Sequence, residues 1–284
     1  MTYIGRFAPT PTGPLHMGSL VAALASYLDA KAHDGQWLLR IEDLDPPRED
    51  PAASTYMPEQ LLAHGLQWDG EIEYQSQHTE RYEAVLEQLR QQGHLFPCAC
   101  SRKSLSANQG LHHGQCPTPN NDQPAAMRLL VTDKTERFKD AVFGKYEQVL
   151  TEVGDQVLKR KDGLYAYQLA VVVDDYNSGI NHIVRGVDLL DNTPRQLYLM
   201  DCLGYPQPSY LHLPLIINND GQKLSKQNQA RALDLNTPKQ NLLFALDFLN
   251  QPTPTDQTCL DSILNFAIKH WDASQIKASF DGVI

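Results

Sequence analysis

Short apolar runs separated by turn residues open the chain in the order expected for a β-α-β unit. Residues 3–7 form an apolar run typical of a strand, and the Pro- and Thr-rich residues 9–14 follow as a loop. Apolar side chains then recur with helical spacing over residues 19–33, and a second strand-like run covers residues 37–41. Two strands joined by a helix predict a parallel sheet with a right-handed crossover.

The rest of the chain continues to mix helical and strand-like patterns. A helix is predicted from Thr79, as its N-cap, to the helix-ending Gly93. Strand composition is found in residues 127–131, 155–161, 168–173, 182–185 and 211–217, with a turn at Asp162-Gly163. Further helices are predicted to begin at Thr193-Pro194 and Thr237-Pro238, running to about residues 203 and 250, and to cover about residues 260–271. The mixture predicts an α/β fold.

Composition narrows the class of protein. The chain has 284 residues, of which 42% are hydrophobic and 20% charged, so it is not a disordered tail. The net charge of −10 argues against coating nucleic acid through bulk charge, although a local basic groove stays open. No apolar stretch approaches the roughly 18 to 20 residues that span a bilayer. The amino terminus lacks a signal-peptide pattern, so we expect a cytoplasmic protein with no membrane partner.

A cluster of metal-binding residue types lies where the periodicity disappears, between residues 96 and 125. Cys98, Cys100 and Cys116 fall within nineteen positions, next to His112 and His113. Thiolate and imidazole are ligands that zinc prefers in tetrahedral sites. The pattern predicts a structural zinc ion in a small inserted module, with free thiols as the alternative. Either histidine can supply the fourth ligand.

The segment before the first helix carries a candidate phosphate site. His16, Gly18 and Ser19 lie directly after the first strand-loop pair, at the start of a predicted helix. A helix amino terminus presents unpaired N–H groups, Gly18 permits close approach to the backbone, and His16 can donate a hydrogen bond to a phosphate. By itself, an ordinary turn explains the motif equally well.

A polar loop over residues 219–227 follows the apolar run 211–217. It contains Lys223 and Lys226 on either side of a serine. Such a loop can place ammonium groups against the charge that develops during displacement at phosphorus. A solvated surface turn is the alternative interpretation.

Carboxylates follow the second predicted strand, where residues 40–45 read Arg-Ile-Glu-Asp-Leu-Asp. The carboxyl ends of strands are where open parallel sheets bind ligands. Glu42 can hold an ammonium group there, and an acidic neighbour can help to hold magnesium. Acidic residues that only cap a helix are the alternative.

Taken together, these motifs resemble the signature set of the class I glutamyl-tRNA synthetases. They are Pro-Thr-Pro-Thr-Gly-Pro-Leu-His-Met-Gly-Ser from residue 9, Arg-Ile-Glu-Asp-Leu-Asp-Pro-Pro-Arg from residue 40, and Lys-Leu-Ser-Lys-Gln from residue 223. The resemblance covers residues 3–250 and includes Asp174-Asp175 and the segment 184–188. It implies a Rossmann-like class I aminoacyl-tRNA synthetase catalytic domain with an inserted small zinc-binding module and a short helical carboxy-terminal part.

The resemblance also implies a division of the chain. Residues 1–95 would be the first half of the catalytic domain, 96–125 the zinc module, 126–235 the second half with a tRNA-contacting insertion, and 236–284 a short helical segment. We expect no anticodon-binding domain. A chain without that domain, with Ser19 and Gln227 at the ends of two motifs, is similar to a shorter subfamily, the glutamyl-queuosine tRNA(Asp) synthetases.

Site residues follow from this resemblance, position by position. The glutamate pocket would be lined by Arg6, Phe7, Ala8, Pro9, Thr10, Glu42, Tyr167 and Arg185. ATP would contact His16, Gly18, Ser19 and Lys226, with Lys223 as a weaker candidate, and Mg²⁺ would accompany the phosphates. The zinc ligands would be Cys98, Cys100, His112 and Cys116, with His113 competing for the fourth position.

The implied reaction activates L-glutamate with ATP and transfers it to the queuosine base in the anticodon loop of tRNA(Asp). Two alternatives stay open: a truncated synthetase that charges a tRNA 3′ end, and a non-catalytic paralogue that binds ATP or RNA. We expect a monomer. Basic side chains in the middle of the chain would contact RNA phosphates: Arg128, Lys134, Arg137, Lys139, Lys145, Lys159, Arg160 and Lys161. A solvated face explains them equally well.

Overall fold

A computed structural model describes residues 2–106, 109–114, 116, 124–217, 232–256, 259–279 and 282–283. The strands are β1 (Ile4–Phe7), β2 (Gln36–Ile41), β3 (Glu73–Tyr74), β4 (Leu95–Cys98), β5 (Ala126–Leu129), β6 (Thr135–Asp140), β7 (Gly144–Val149), β8 (Gln156–Lys159), β9 (His182–Gly186), β10 (Ser209–Leu213), β11 (Ile216–Ile217) and β12 (Gly282–Val283). The α-helices are α1 (Met17–Ala32), α2 (Ala53–Ala63), α3 (Thr79–Gln91), α4 (Arg102–Leu105), α5 (Tyr167–Asn177), α6 (Thr193–Leu203), α7 (Pro238–Phe248) and α8 (Leu260–His270). Within these ranges, no helix is both long and apolar enough to span a bilayer.

The predicted β-α-β opening is confirmed. Strands β1 and β2 pair in parallel, with Ile4 opposite Gln36, and α1 connects them. Strand β9 continues this layer next to β1, because the Asn181 N–H donates to the Ile4 carbonyl at 3.0 Å. Strands β10, β6 and β7 follow β9 in that order, and the β9, β10 and β6 pairings are parallel. The α/β class and the Rossmann-like fold therefore hold.

A separate antiparallel sheet, in the order β4-β5-β8, stands at the segment where the sequence loses its periodicity. Strand β4 ends at Cys98, and β8 is followed by the predicted turn, where Gly163 has a φ of +88°. A glycine suits that left-handed backbone conformation because it has no Cβ. This sheet does not test the four-part division of the chain, which stays a prediction.

The strand predicted over residues 168–173 is wrong, because these residues belong to helix α5. Residues 169–173 are all buried, since α5 is enclosed by neighbouring helices and by β8. A helix that is buried on every side is apolar on every side and shows no helical period, so it resembles a buried strand in sequence.

Two helix caps differ by one residue from their predicted positions. The N-cap of α3 is His78 and that of α6 is Asn192, so Thr79 and Thr193 are the first helical residues. At α7 the prediction is confirmed, with Thr237 as the N-cap and Pro238 following. The predicted strand 211–217 is divided between β10 and β11.

The sequence pattern does not predict two elements, helix α2 and the hairpin of β6 and β7. Helix α2 contains Pro58, a residue that usually argues against a helix interior. The hairpin of β6 and β7 exposes a charged face, with Arg137 opposite Glu147 and Lys139 opposite Lys145, and these charges obscure its alternation.

The carboxy-terminal helices pack on the first half of the chain. Side chains of α1, α7 and α8 share one apolar core, which includes Leu28, Leu242 and Leu264. The indole N–H of Trp271 donates to the Asp29 carboxylate at 2.8 Å. A second apolar core surrounds α3, α5 and α6. The two cores lie on opposite faces of the sheet, because the neighbouring β9 residues Ile183 and Val184 belong to different cores.

Candidate functional site

One cavity of about 840 Å³ opens at the carboxyl ends of β1, β2, β9 and β10. Open parallel sheets bind ligands at this edge. The predicted site residues that the structure describes outside the cysteine cluster all line the cavity: Arg6, Phe7, Ala8, Pro9, Thr10, His16, Gly18, Ser19, Glu42, Tyr167 and Arg185. The fold thus brings four separate sequence segments to one place.

His16 joins the cavity to the amino terminus of α1. It is the N-cap of this helix, and its Nδ1 atom accepts a hydrogen bond from the Ser19 N–H at 3.2 Å. With Nδ1 as the acceptor, the neutral ring carries its proton on Nε2, which can donate to a phosphate oxygen. Gly18 adds its backbone N–H group, and the helix adds the positive end of its dipole.

The floor of the cavity consists of Arg6 and Glu42, which line it, and of the buried Arg40 and Asp175 behind them. Asp175 accepts hydrogen bonds from Arg6 Nε at 3.1 Å and from Arg40 Nη2 at 2.6 Å. Burial alone would raise the pKa of the Asp175 carboxyl, but Arg40 and Arg6 hold it below its usual range. Sequence reasoning missed Arg40 and Asp175 as site residues, although Arg40 lies two residues before Glu42. Their pairing fixes the Arg6 guanidinium at the cavity wall.

Glu42 is the carboxylate that a ligand can reach in this group. It is buried, lines the cavity and lies 3.7 Å from Arg40 Nη2 through Oε1. Burial raises the pKa of Glu42 to about 7, although Arg40 and Arg6 act in the opposite direction. A cationic group that enters the cavity would stabilise the ionised form of Glu42.

Arg185 and Tyr167 come from a strand and a helix that both reach the cavity. Arg185 lies on β9, is buried, and places its guanidinium carbon 5.3 Å from the ring centroid of Tyr210. Tyr167 is the first residue of α5, and burial raises the pKa of its hydroxyl. A positive guanidinium beside a neutral phenol suits a ligand carboxylate.

Lys223 and Lys226 lie outside the described residues, so the structure does not place them. The described residues before and after their segment lie at the cavity. Ile216 lines it, and Ala232 pairs with His16 through a β-bridge. The chain therefore leaves the cavity at β11 and returns beside the N-cap of α1.

The predicted metal ligands come together in space. The Sγ atoms of Cys98, Cys100 and Cys116 and a ring nitrogen of His112 all lie within 4.8 Å of one another. The Cys100 and Cys116 sulfurs are 3.5 Å apart, close to the roughly 3.8 Å edge of a tetrahedron with 2.3 Å zinc–sulfur bonds. His113 is not part of the cluster.

His112 fits the requirements of a zinc ligand on a further observation. Its Nδ1 atom bonds to Asp155 Oδ2 at 2.8 Å, while its buried Nε2 has no hydrogen-bond partner in the described part of the chain. A histidine that binds metal through one nitrogen typically donates from the other to a carboxylate. Gly154 permits this packing, because a Cβ there would lie 2.6 Å from the His112 carbonyl oxygen. The cluster can therefore hold a zinc ion.

Four of the eight basic side chains in the middle of the chain have acidic partners among the described residues. Lys159 pairs with Glu83, Lys134 with Asp201, Arg137 with Glu147 and Arg160 with Asp162, whereas Arg128 donates to the Asp155 carbonyl. Lys139 and Lys145 lie opposite each other on the exposed face of the β6–β7 hairpin, with no carboxylate within 4 Å among the described residues. The expected contact with RNA stays a prediction.

Comparison with known proteins agrees with this geometry. Residues 4–121 and 108–246 match the family model described as tRNA synthetases class I (E and Q), catalytic domain. A glutamyl-Q tRNA(Asp) synthetase of Pseudomonas fluorescens is 52% identical over 279 residues, which cover 97% of this chain and 94% of that protein. A protein of the same name from Neisseria meningitidis is 48% identical and covers 96% of this chain and 97% of its own length.

Solved structures share the fold. A glutamate tRNA ligase from Elizabethkingia meningosepticum superposes with a TM-score of 0.82 at 24% identity, over 98% of this chain and 66% of that one. A glutamate-tRNA synthetase from Elizabethkingia anophelis gives the same TM-score and covers 67% of its own chain. From the family match and the long, closely related sequences, this chain belongs to the class I tRNA synthetases of the E and Q family, and within it to the glutamyl-Q tRNA(Asp) synthetases.

Proposed function

We propose that this protein activates L-glutamate with ATP and transfers it to the queuosine base in the anticodon loop of tRNA(Asp). The observation that carries the proposal is the single cavity that joins an acidic and basic pocket to the amino terminus of α1. Such a cavity suits an amino acid and a nucleotide bound side by side. The identity of the tRNA and of the modified base is taken from the names of the relatives.

Glutamate binds through its three charged groups. Glu42 receives the ammonium group, because it lines the cavity, whereas Asp175 does not line it and is already paired with Arg6 and Arg40. Arg185 and Tyr167 receive the side-chain carboxylate, with Arg6 assisting. Residues 7–10 shape the wall of the pocket. The α-carboxylate then points toward His16.

The nucleotide binds at the helix end. His16 Nε2, the Gly18 N–H and the Ser19 hydroxyl contact ATP phosphates, together with Lys226 and, as a weaker candidate, Lys223. Mg²⁺ accompanies the phosphates. An oxygen of the glutamate α-carboxylate bonds to the α-phosphorus, the bond to the pyrophosphate oxygen breaks, and glutamyl-adenylate forms. The protein contributes alignment and charge stabilisation.

Transfer needs no protein nucleophile. A hydroxyl of the cyclopentenediol ring of queuosine attacks the carbonyl carbon of the adenylate, loses its proton, and AMP leaves, so that an ester forms. The four predicted segments of the chain would act here as one monomeric, cytoplasmic enzyme.

A structural zinc ion belongs to the proposal. Cys98, Cys100, His112 and Cys116 would hold it, and it would supply a tetrahedral crosslink without taking part in the reaction. Asp155 orients His112 and also accepts from the Gly114 N–H and the Val131 N–H, so the module is tied to the β4-β5-β8 sheet. These residues present the module at a fixed position for the tRNA.

The test is transfer of labelled glutamate, with ATP and Mg²⁺, to two tRNA pools: one from cells that make queuosine and one from cells that cannot. We expect label only in the pool that contains queuosine. Equal labelling of both pools would indicate charging of a 3′ end. No labelling, together with no glutamate-dependent pyrophosphate exchange, would indicate a non-catalytic paralogue and overturn the proposal.

A further inference from the structure

Arg185 is held by a chain of buried side chains that lies behind the cavity. Its Nε donates to His212 Nε2 at 3.1 Å, and the Nδ1 atom of His212 bonds to Asp140 Oδ2 at 2.7 Å. His212 and Asp140 have 0% and 1% of their surface exposed, and neither lines the cavity. The chain links three strands of the sheet, since Arg185 lies on β9, His212 on β10 and Asp140 at the end of β6.

Asp140 determines which nitrogen of His212 carries the proton. An ionised carboxylate only accepts hydrogen bonds, so Nδ1 is the protonated nitrogen and Nε2 is an acceptor. Asp140 is itself fixed, because its Oδ1 accepts from the Val142 N–H at 3.0 Å and from the Phe143 N–H at 2.9 Å. The acceptor Nε2 matches the Nε–H of Arg185, whereas a protonated Nε2 would repel it.

The remaining contacts of Arg185 leave one nitrogen for a ligand. Its Nη2 donates to Thr193 Oγ1 at 2.6 Å and to the Leu189 carbonyl at 3.3 Å. Its buried Nη1 has no hydrogen-bond partner within the described ranges. A buried guanidinium nitrogen without a partner is costly unless a ligand satisfies it. The protein thus occupies Nε and Nη2 and reserves Nη1.

We infer that Asp140 and His212 are positioning residues, which orient the Arg185 guanidinium so that Nη1 meets the side-chain carboxylate of the amino acid and selects it over a carboxamide. The inference rests on the proposed function and deepens it. A carboxylate accepts two hydrogen bonds and carries the opposite charge, whereas a carboxamide can turn an NH₂ group toward Nη1 and leave it unsatisfied. Loosening the guanidinium weakens this discrimination, while the reacting α-carboxylate and phosphate groups keep their partners.

The experiment measures amino-acid-dependent ATP–pyrophosphate exchange, with glutamate and with glutamine, with queuosine-containing tRNA present throughout. His212→Leu removes the acceptor and should raise KM for glutamate at least about tenfold, with kcat changed less than about threefold. The ratio of kcat/KM for glutamate over glutamine should fall by a similar factor. His212→Gln can still accept from Arg185 through Oε1 and should restore KM to within about threefold of the wild type.

Two further variants separate positioning from general damage. Asp140→Asn is nearly isosteric and can present an NH₂ group to His212, so it should raise KM in the same way even where His212→Leu folds poorly. His64→Leu is the matched control, because His64 is equally buried, bonds to the Gln60 carbonyl and to Asn241, and does not line the cavity. It should lower the thermal midpoint and leave KM unchanged.

Unchanged KM and selectivity in folded His212→Leu and Asp140→Asn would overturn this inference and leave the proposed function intact. An equal rise of KM in His64→Leu would also overturn it, since the effect would then follow from lost stability. Absence of exchange in the wild type would overturn the proposed function first, so the two failures are distinguishable.

Discussion

The floor of the cavity and the cysteine cluster both collect polar groups inside the protein, and they differ in how those groups are satisfied. The floor is assembled from Arg6, Arg40, Glu42 and Asp175, which come from three distant segments of the chain. Its charges neutralise one another across neighbouring elements. The ligands of the cluster all fall between residues 98 and 116, and three of them are sulfurs that meet mainly each other.

This difference indicates that the side chains of the two regions are held in place in different ways. At the floor, the apolar cores on either side of the sheet hold the charged side chains in place before any ligand arrives. Among the described residues, a three-stranded sheet and a four-residue helix lie beside the cluster. A small module of this kind gains its folding free energy from bound metal. Removal of one residue should therefore damage chemistry at the floor and local structure at the cluster.

The largest expected effect is at the cavity wall beside the floor. Arg185→Leu removes the buried guanidinium that we propose binds the substrate carboxylate, and we expect a loss of about 4 kcal/mol and hence about 1,000-fold in kcat/KM for glutamate. Zinc content should stay unchanged, because Arg185 has no contact with the cluster. Pyrophosphate exchange and metal analysis of the same preparation check both statements. A parallel loss of zinc would contradict the separation of the two regions.

The reciprocal change is Cys100→Ser. Zinc content should fall from about one ion per chain to below about 0.1, and glutamate transfer to tRNA should fall at least about tenfold. Glutamate-dependent pyrophosphate exchange should change less than about threefold, since the cluster does not line the cavity. Cys259→Ser is the control, because this exposed thiol lies apart from the cluster. Loss of exchange together with transfer would show that the floor depends on the module.

A smaller effect comes from pH. The pKa of Glu42 is about 7 without ligand, and a bound ammonium group lowers it, so binding favours the ionised carboxylate and strengthens as pH rises. KM for glutamate should rise as pH falls below 7, approaching about tenfold per pH unit, and level off above about pH 8. Glu42→Gln should bind glutamate weakly and flatten this profile. A wild-type KM that is constant between pH 6 and 8 would contradict the assignment of Glu42.

The smallest expected effect concerns the basic surface. Lys139→Glu combined with Lys145→Glu reverses two charges that have no described carboxylate partner, and should weaken tRNA binding about three- to tenfold and reduce its salt dependence. Lys159→Glu should weaken binding less, because Glu83 already neutralises Lys159. Filter binding at several salt concentrations distinguishes them. Equal effects of both changes would contradict a contact between the β6–β7 hairpin and the RNA.

The parts of the site that the sequence predicts are those with a local signal. His16 and Gly18 lie at a strand–loop–helix transition, and the cysteines are close together in the chain, so short motifs identify them. The role of Arg185 came from family resemblance, since an arginine on a strand has no local signature of substrate binding.

Contacts across the fold could not be predicted in the same way. The Arg6–Asp175 pair joins residues 169 positions apart, and nothing near either residue indicates the other. His212 lies in an apolar run whose pattern indicates only a buried strand. Residues 168–173 of the buried helix α5 resemble a strand in sequence, because burial on every side removes the periodicity that distinguishes a helix from a strand.

The N-cap of α1 has a consequence for how this protein can evolve. A cap contributes about 1 kcal/mol to helix stability, and asparagine or serine would provide it at least as well as histidine. His16 instead satisfies the Ser19 N–H with one nitrogen and keeps the other at the cavity. Selection for stability alone would replace it with a shorter polar residue, whereas selection for the proposed nucleotide binding would retain the imidazole. Variants enriched under the two pressures should therefore diverge at this position while agreeing over the buried face of the helix.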